Sequence, residues 1–311
     1  MKKVVASEWG IKGLVTVVLL ISCLTLGFRR VDLDEKIEGA AFTRYVDGKI
    51  RLADLWLAVV RLTVVAPGHD LKWATGFFFW HDSRLYLITN RHVVISEKDD
   101  YYADELILKI HNNSNDLSKN KYLYLKLRGE GGENLWLEHP SYSSDVDVIA
   151  LSLSGTFTNG DYLIGAFEEE DFHNEDDNFA AGEDVVVIGY PFGIADDRWN
   201  LPIIRQGTVA SGYPIYFEGK PFFYIDTRLH KGSSGSPVLA KPGELRIVRG
   251  KGTDTSTRGK IYLLGVNSGH MELEEKIREL YYDEDEPFRT LDLSRVWYAE
   301  LIIAIIEQKS K

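Results

Sequence analysis

A chain of 311 residues that is 44% hydrophobic and 12% aromatic can bury a real core, so it is globular and too long for one small domain. Its net charge of −11 argues against a nucleic-acid-binding surface, which needs clustered Lys and Arg. The single cysteine, Cys23, excludes an intrachain disulfide and a Cys-based zinc site, leaving packing to hold the fold.

Lys2, Lys3 and Lys12 precede an apolar run from Leu14 to Phe28, which Arg29 and Arg30 close. That run is shorter than the roughly 20 residues of a membrane span but matches the core of a signal segment. Leu20-Ile21-Ser22-Cys23 is similar to the lipobox of bacterial lipoproteins, while the apolar residues beyond Cys23 suit an uncleaved anchor. Residues 1–30 are expected to form an apolar helix, as a signal anchor or lipoprotein signal. The expectation is a bacterial-type exported chain attached to the membrane of the cell envelope. Residues 31–54 are mixed and charged and are expected to be a stalk.

From Leu57 the texture changes to short apolar runs separated by Gly, Asp, Asn and Ser. Strands are predicted at Val59–Val65, Thr75–Trp80, Leu85–Thr89, Leu106–His111, Tyr122–Leu127, Leu135–Glu138 and Val146–Leu153. An acidic stretch, Glu168–Asp177, interrupts them; it lacks the spacing of a calcium loop and is expected to be solvated. Strands resume at Val185–Ile188, Ile203–Val209, Ile215–Glu218, Phe222–Thr227, Val238–Leu239 and Ile261–Val266, with a hairpin turn at Glu218-Gly219-Lys220. Such spacing predicts a sandwich or barrel rather than βαβ units. Leu293–Glu307 has helical spacing, with Val296, Trp297, Leu301, Ile302 and Ile305 able to share a face, and is expected to be a docking helix.

The chemistry centres on Gly232-Ser233-Ser234-Gly235-Ser236-Pro237, a tight loop between two apolar runs. A serine on such a turn can present its hydroxyl while nearby backbone N–H groups converge, as acyl transfer requires; a plain Gly/Ser turn is the other reading. His92 follows directly on the apolar run Leu87–Thr89, where it is either a structural or a reactive histidine. Asp147 opens the run Val148–Leu151, where a carboxylate is costly unless hydrogen-bonded, and an imidazole N–H is a natural donor. Asp145 is the competing acid, and a solvent-facing strand edge is the plainer account of either.

The order His92, Asp147, Ser234 resembles that of chymotrypsin-fold serine proteases. The resemblance is closest to bacterial trypsin-like peptidases of the HtrA type, and is carried by motifs in the same order. They are Ala74-Thr75-Gly76-Phe77-Phe78, Thr89-Asn90-Arg91-His92-Val93-Val94, Asp147-Val148-Ile149-Ala150-Leu151, Ile188-Gly189-Tyr190-Pro191-Phe192-Gly193, Asp226 through Pro237, and Val266-Asn267-Ser268-Gly269. It implies an all-β fold of two six-stranded antiparallel β-barrels with a C-terminal α-helix. The first barrel would span residues 55–160 and carry His92 and Asp147. The second would span 161–291 and carry Ser234, leaving 292–311 as helix and tail. Ser234 would be the nucleophile, His92 the base and Asp147 its orienting acid. The N–H groups of Gly232 and Ser234 would form the oxyanion hole, and Arg228, Asn267, Ser268 and Gly269 would bind substrate.

The implied partners are protein or peptide substrates and, through the N-terminal segment, a membrane. No nucleic acid, metal or organic cofactor is expected, and no PDZ domain. Two departures stand out: Ser236 replaces a glycine frequent in relatives, and Arg228 falls at the pocket-floor position, where a cation suits an acidic side chain. Three rivals are weaker. An α/β-hydrolase could use Ser234, Asp254 and His270 in order, but Ser236 breaks its Gly-x-Ser-x-Gly elbow. An inactive trypsin-fold module would be a membrane-tethered binding protein. A structural module would work through the acidic stretch 168–177.

Overall fold

The computed structural model describes residues 41–42, 52–97, 100–156, 162–173, 179–240, 261–270 and 292–308. The expected N-terminal helix with Cys23, most of the stalk, part of the acidic stretch and Asp254 lie outside the described residues. All described residues belong to one unit, Glu38–Lys311.

A short helix α1 (Leu52–Ala58) leads into the first sheet. Its strands are β2 (Val59–Val65), β3 (Lys72–His81), β4 (Arg84–Thr89), β7 (Glu105–His111), β8 (Asn120–Lys126), β9 (Trp136–Leu137) and β10 (Ile149–Ser152). The antiparallel order is β8-β7-β2-β3-β4-β10-β9. Alternation explains β7 and β8, whose inward Leu106, Leu108, Ile110, Leu123 and Leu125 are buried between less buried neighbours. Seven strands stand where six were expected. The edges β8 and β9 meet through one bridge, Arg128 to Asn134, and Leu135 N–H donating to Leu127 C=O at 3.0 Å, so closure is not a full ladder. A tight turn from Gly129 to Glu133 joins these two edges.

Four smaller elements escaped the sequence reading. They are β1 (Ala41–Phe42), parallel to β11 (Leu163–Ile164), and the two-residue hairpin of β5 (Ile95–Ser96) with β6 (Tyr101–Tyr102). Elements this short carry no readable period.

The second sheet is a closed barrel, β12-β13-β14-β17-β16-β15. It comprises β12 (Asp184–Gly189), β13 (Ile203–Val209), β14 (Phe222–Asp226), β15 (Pro237–Ala240), β16 (Tyr262–His270) and β17 (Leu293–Tyr298). Two expectations are corrected here. Ile215–Glu218 is not a strand: Ile215 is exposed and only Phe217 bridges, to Lys220 across the turn. That turn has positive φ at both Glu218 (53°) and Gly219 (74°), as a tight hairpin requires. Leu293–Glu307 is not one helix. Its first part is β17, which pairs with β14 and β16 and closes the barrel; only Glu300–Glu307 is helical, as α3. Over so short a run helical and strand periods overlap, and the strand place vacant between β14 and β16 decided the outcome.

Each sheet has its own apolar cluster. A third joins them, with Phe77, Phe79 and Ile88 of the first meeting Ile188, Tyr190, Leu239 and Trp297 of the second and Leu301, Ile302 and Ile305 of α3. This shared core holds β3, β4 and β10 of the first sheet against β12, β14, β15, β16 and β17 of the second.

Candidate active site

The loop before β15 is shaped by two glycines with positive φ, Gly232 (93°) and Gly235 (82°). A Cβ on Gly232 would lie 2.6 Å from the carbonyl oxygen of Tyr190, and one on Gly235 2.1 Å from that of Thr75. Only glycine fits either place. The departure at Ser236 is accommodated by a third glycine, since a Cβ on Gly189 would come within 2.1 Å of its Oγ.

The loop is fastened on both sides. From the first barrel, Thr75 N–H donates to Ser234 C=O at 2.9 Å, and Thr75 Oγ1 donates to Gly232 C=O at 2.8 Å while accepting Tyr190 N–H at 2.9 Å. From the second, Asn267 Nδ2 donates to Ser233 C=O at 2.8 Å, and the Asn267 backbone pairs with Gly235 and Ser236. The Lys231 carbonyl accepts from Phe192 N–H, so across the planar peptide the Gly232 N–H points away from Phe192. Neither Gly232 N–H nor Ser234 N–H donates to another described residue.

Strand β4 ends at Thr89, and the chain turns through Asn90 into the four-residue helix α2 (Arg91–Val94), which carries His92 in its first turn. Arg91 braces this turn by pairing with Glu97 and Glu138. Asp147 sits just before β10, beyond the turn Ser143–Asp145, and its carbonyl accepts Asn90 Nδ2 at 2.7 Å. Its carboxylate takes the His92 backbone N–H at 2.8 Å and faces His92 Nδ1 at 2.6 Å. On the other side of the ring, His92 Nε2 lies 2.9 Å from Ser234 Oγ. Ser268 Oγ completes the line by donating to Asp147 Oδ2 at 2.5 Å.

Burial works to lower the pKa of His92, although the ring keeps an edge in solvent. The charge of Asp147 and its hydrogen bond outweigh that, together with the opposing charge of Lys72, and hold the ring above its ordinary 6.5. A histidine so held can accept the proton of Ser234 Oγ and keep it, as imidazolium, beside a fixed carboxylate.

The structure thus brings His92, Asp147 and Ser234 together; Asp145 is exposed and donates its N–H to Tyr142. Two of the four expected substrate-binding residues turn their side chains to other tasks. Asn267 is fully buried behind the loop, its amide used on Ser233, because a side chain there points inward from β16. Ser268 is turned to Asp147 rather than outward. Gly269, at a bulge with φ of 104°, would meet nothing within 4 Å with a Cβ and borders open space. Arg228 is exposed, its carbonyl accepts from Arg205, and its guanidinium makes no ion pair among the described residues. Sequence reasoning missed Thr75: it stands in a quoted motif, but nothing local reveals a hydroxyl bonded across 157 positions.

Residues 74–246 match the family model of the trypsin-like peptidase domain. That is more than half of the chain, and the chain belongs to this trypsin-like peptidase family. No curated protein matches it. Similar solved structures include an HtrA-type protease with a tripeptide, at 13% identity and a TM-score of 0.46, covering 83% of this chain and 63% of that one. A serine endoprotease from Yersinia pestis stands at 15% and 0.43, covering 81% and 62%. The protease Anisep from Arthrobacter nicotinovorans stands at 15% and 0.45, covering 81% and 94%. The chain spans just under two thirds of the first two.

Proposed function

We propose that the protein hydrolyses peptide bonds at the cell envelope through Ser234, His92 and Asp147. The observation that supports this reading is the unbroken hydrogen-bond line from Ser268 through Asp147 and His92 to Ser234. As Ser234 Oγ bonds to the scissile carbonyl carbon, its proton passes to His92 Nε2, and Asp147 stabilises the imidazolium. The oxyanion takes the free N–H groups of Gly232 and Ser234, each such donor contributing about 3 kcal/mol in the transition state. His92 then protonates the leaving amine, and water, giving its proton to His92, releases the acyl group. Arg228, exposed ahead of the loop with the half-buried Arg205 donating to its carbonyl, favours an acidic residue before the scissile bond. The apolar N-terminal segment is the basis for export and membrane attachment.

Labelling by a fluorophosphonate probe tests the chemistry. Wild type should label, and Ser234→Ala and His92→Ala should not. A well-folded wild type that fails to label sinks the reading and leaves a binding module. A peptide-library profile with apolar residues before the cleaved bond would remove Arg228 from the specificity role.

A further inference from the structure

At the end of β3 remote from the loop, His81 meets Asp82 of the hairpin turn and Glu307, the last residue of α3. His81 lies six residues beyond Thr75, roughly 20 Å along the strand. Its side chain is 10% exposed, and its Nε2 is buried without a hydrogen-bond partner. Nε2 stands 3.6 Å from Asp82 Oδ2 and 3.5 Å from Glu307 Oε1. Both distances are too long for an N–H···O bond, which runs to about 3.2 Å. They approach the edge of a zinc tetrahedron, about 3.3–3.4 Å for ligands 2.0–2.1 Å from the ion. All three donor atoms fall within 4.8 Å of one another, on a strand end, a turn and a helix end. Glu307 stands at the negative end of the helix dipole, and no basic residue occupies the last turn of α3.

We propose that His81, Asp82 and Glu307 bind a divalent zinc-class ion, with solvent on the side of the exposed Asp82. The ion has no part in peptide hydrolysis. It clamps α3, which continues directly from the second barrel, onto the hairpin of β3 and β4 in the first, and so resists separation of the barrels.

The test uses the tag-free full chain, stripped with a chelator and titrated with Zn²⁺ and with Co²⁺. The expected result is one equivalent of Zn²⁺, a Co²⁺ visible spectrum of tetrahedral intensity, and a Tm that rises with Zn²⁺. Binding should weaken at least about tenfold in both His81→Ala and Glu307→Gln, the smallest loss usual even for a residue that only supports a ligand. It should persist in His92→Ala, which separates this site from the triad. Because His81→Ala removes a buried ring, Glu307→Gln at the helix end guards against misfolding as the cause. A folded wild type that takes up no Zn²⁺ overturns the proposal. So does uptake that survives Glu307→Gln, and so does uptake lost in His92→Ala.

Discussion

Thr75 is where the first barrel holds the nucleophile loop, and Thr75→Val isolates that role. The side chain is fully buried, and valine keeps its shape while removing the hydroxyl. Two backbone groups then lose their partner: Gly232 C=O, which accepted at 2.8 Å, and Tyr190 N–H, which donated at 2.9 Å. A buried polar group left unpaired costs about 1–3 kcal/mol, so the pair sums to about 2–6 kcal/mol. With a urea m-value of about 2–3 kcal/mol/M, the unfolding midpoint should fall by about 1–3 M. Urea titration followed by tryptophan fluorescence measures this. Thr75→Ser keeps the hydroxyl and loses one methyl, about 1 kcal/mol, so it serves as the reference. Fluorophosphonate labelling should slow in the valine variant under native conditions, because Gly232 is no longer tied, and stay near wild type in the serine variant. A valine variant as stable as the serine variant would falsify the claim that this hydroxyl fastens the loop.

Two further outcomes follow from the same geometry. Labelling needs neutral His92, so its rate should rise with pH along a limb whose midpoint lies above 6.5, since Asp147 raises the folded pKa. In Asp147→Asn that midpoint should move down and the rate fall by about 10⁴, and a limb unmoved by the change would mean another group titrates. Ser268→Ala removes the hydroxyl that donates to Asp147 Oδ2; a hydrogen bond to a charged group is worth about 1.5–3 kcal/mol, so labelling should slow by about 10- to 100-fold. Unchanged labelling would mean that His92 alone orients Asp147.

The central strands were legible because their apolar residues alternate or run continuously between turn residues. Val59–Val65 and Ile203–Val209 coincide with β2 and β13 to the residue. The loop glycines and the order of His92, Asp147 and Ser234 were legible too, since backbone freedom and reactive side chains are properties of residue type. The sequence could not decide matters that depend on a partner far along the chain. Leu293–Tyr298 became a strand because β14 and β16 left a place between them. Asn267 and Ser268, adjacent and both polar, were sent by the β16 pleat to opposite tasks, one behind the loop and one to Asp147. Thr75 gained its role only when folding carried it to Gly232. Periodicity and residue type act over a few positions, whereas hydrogen bonds that assemble the site span up to 159, from Thr75 to Ser234, and only tertiary packing supplies those neighbours.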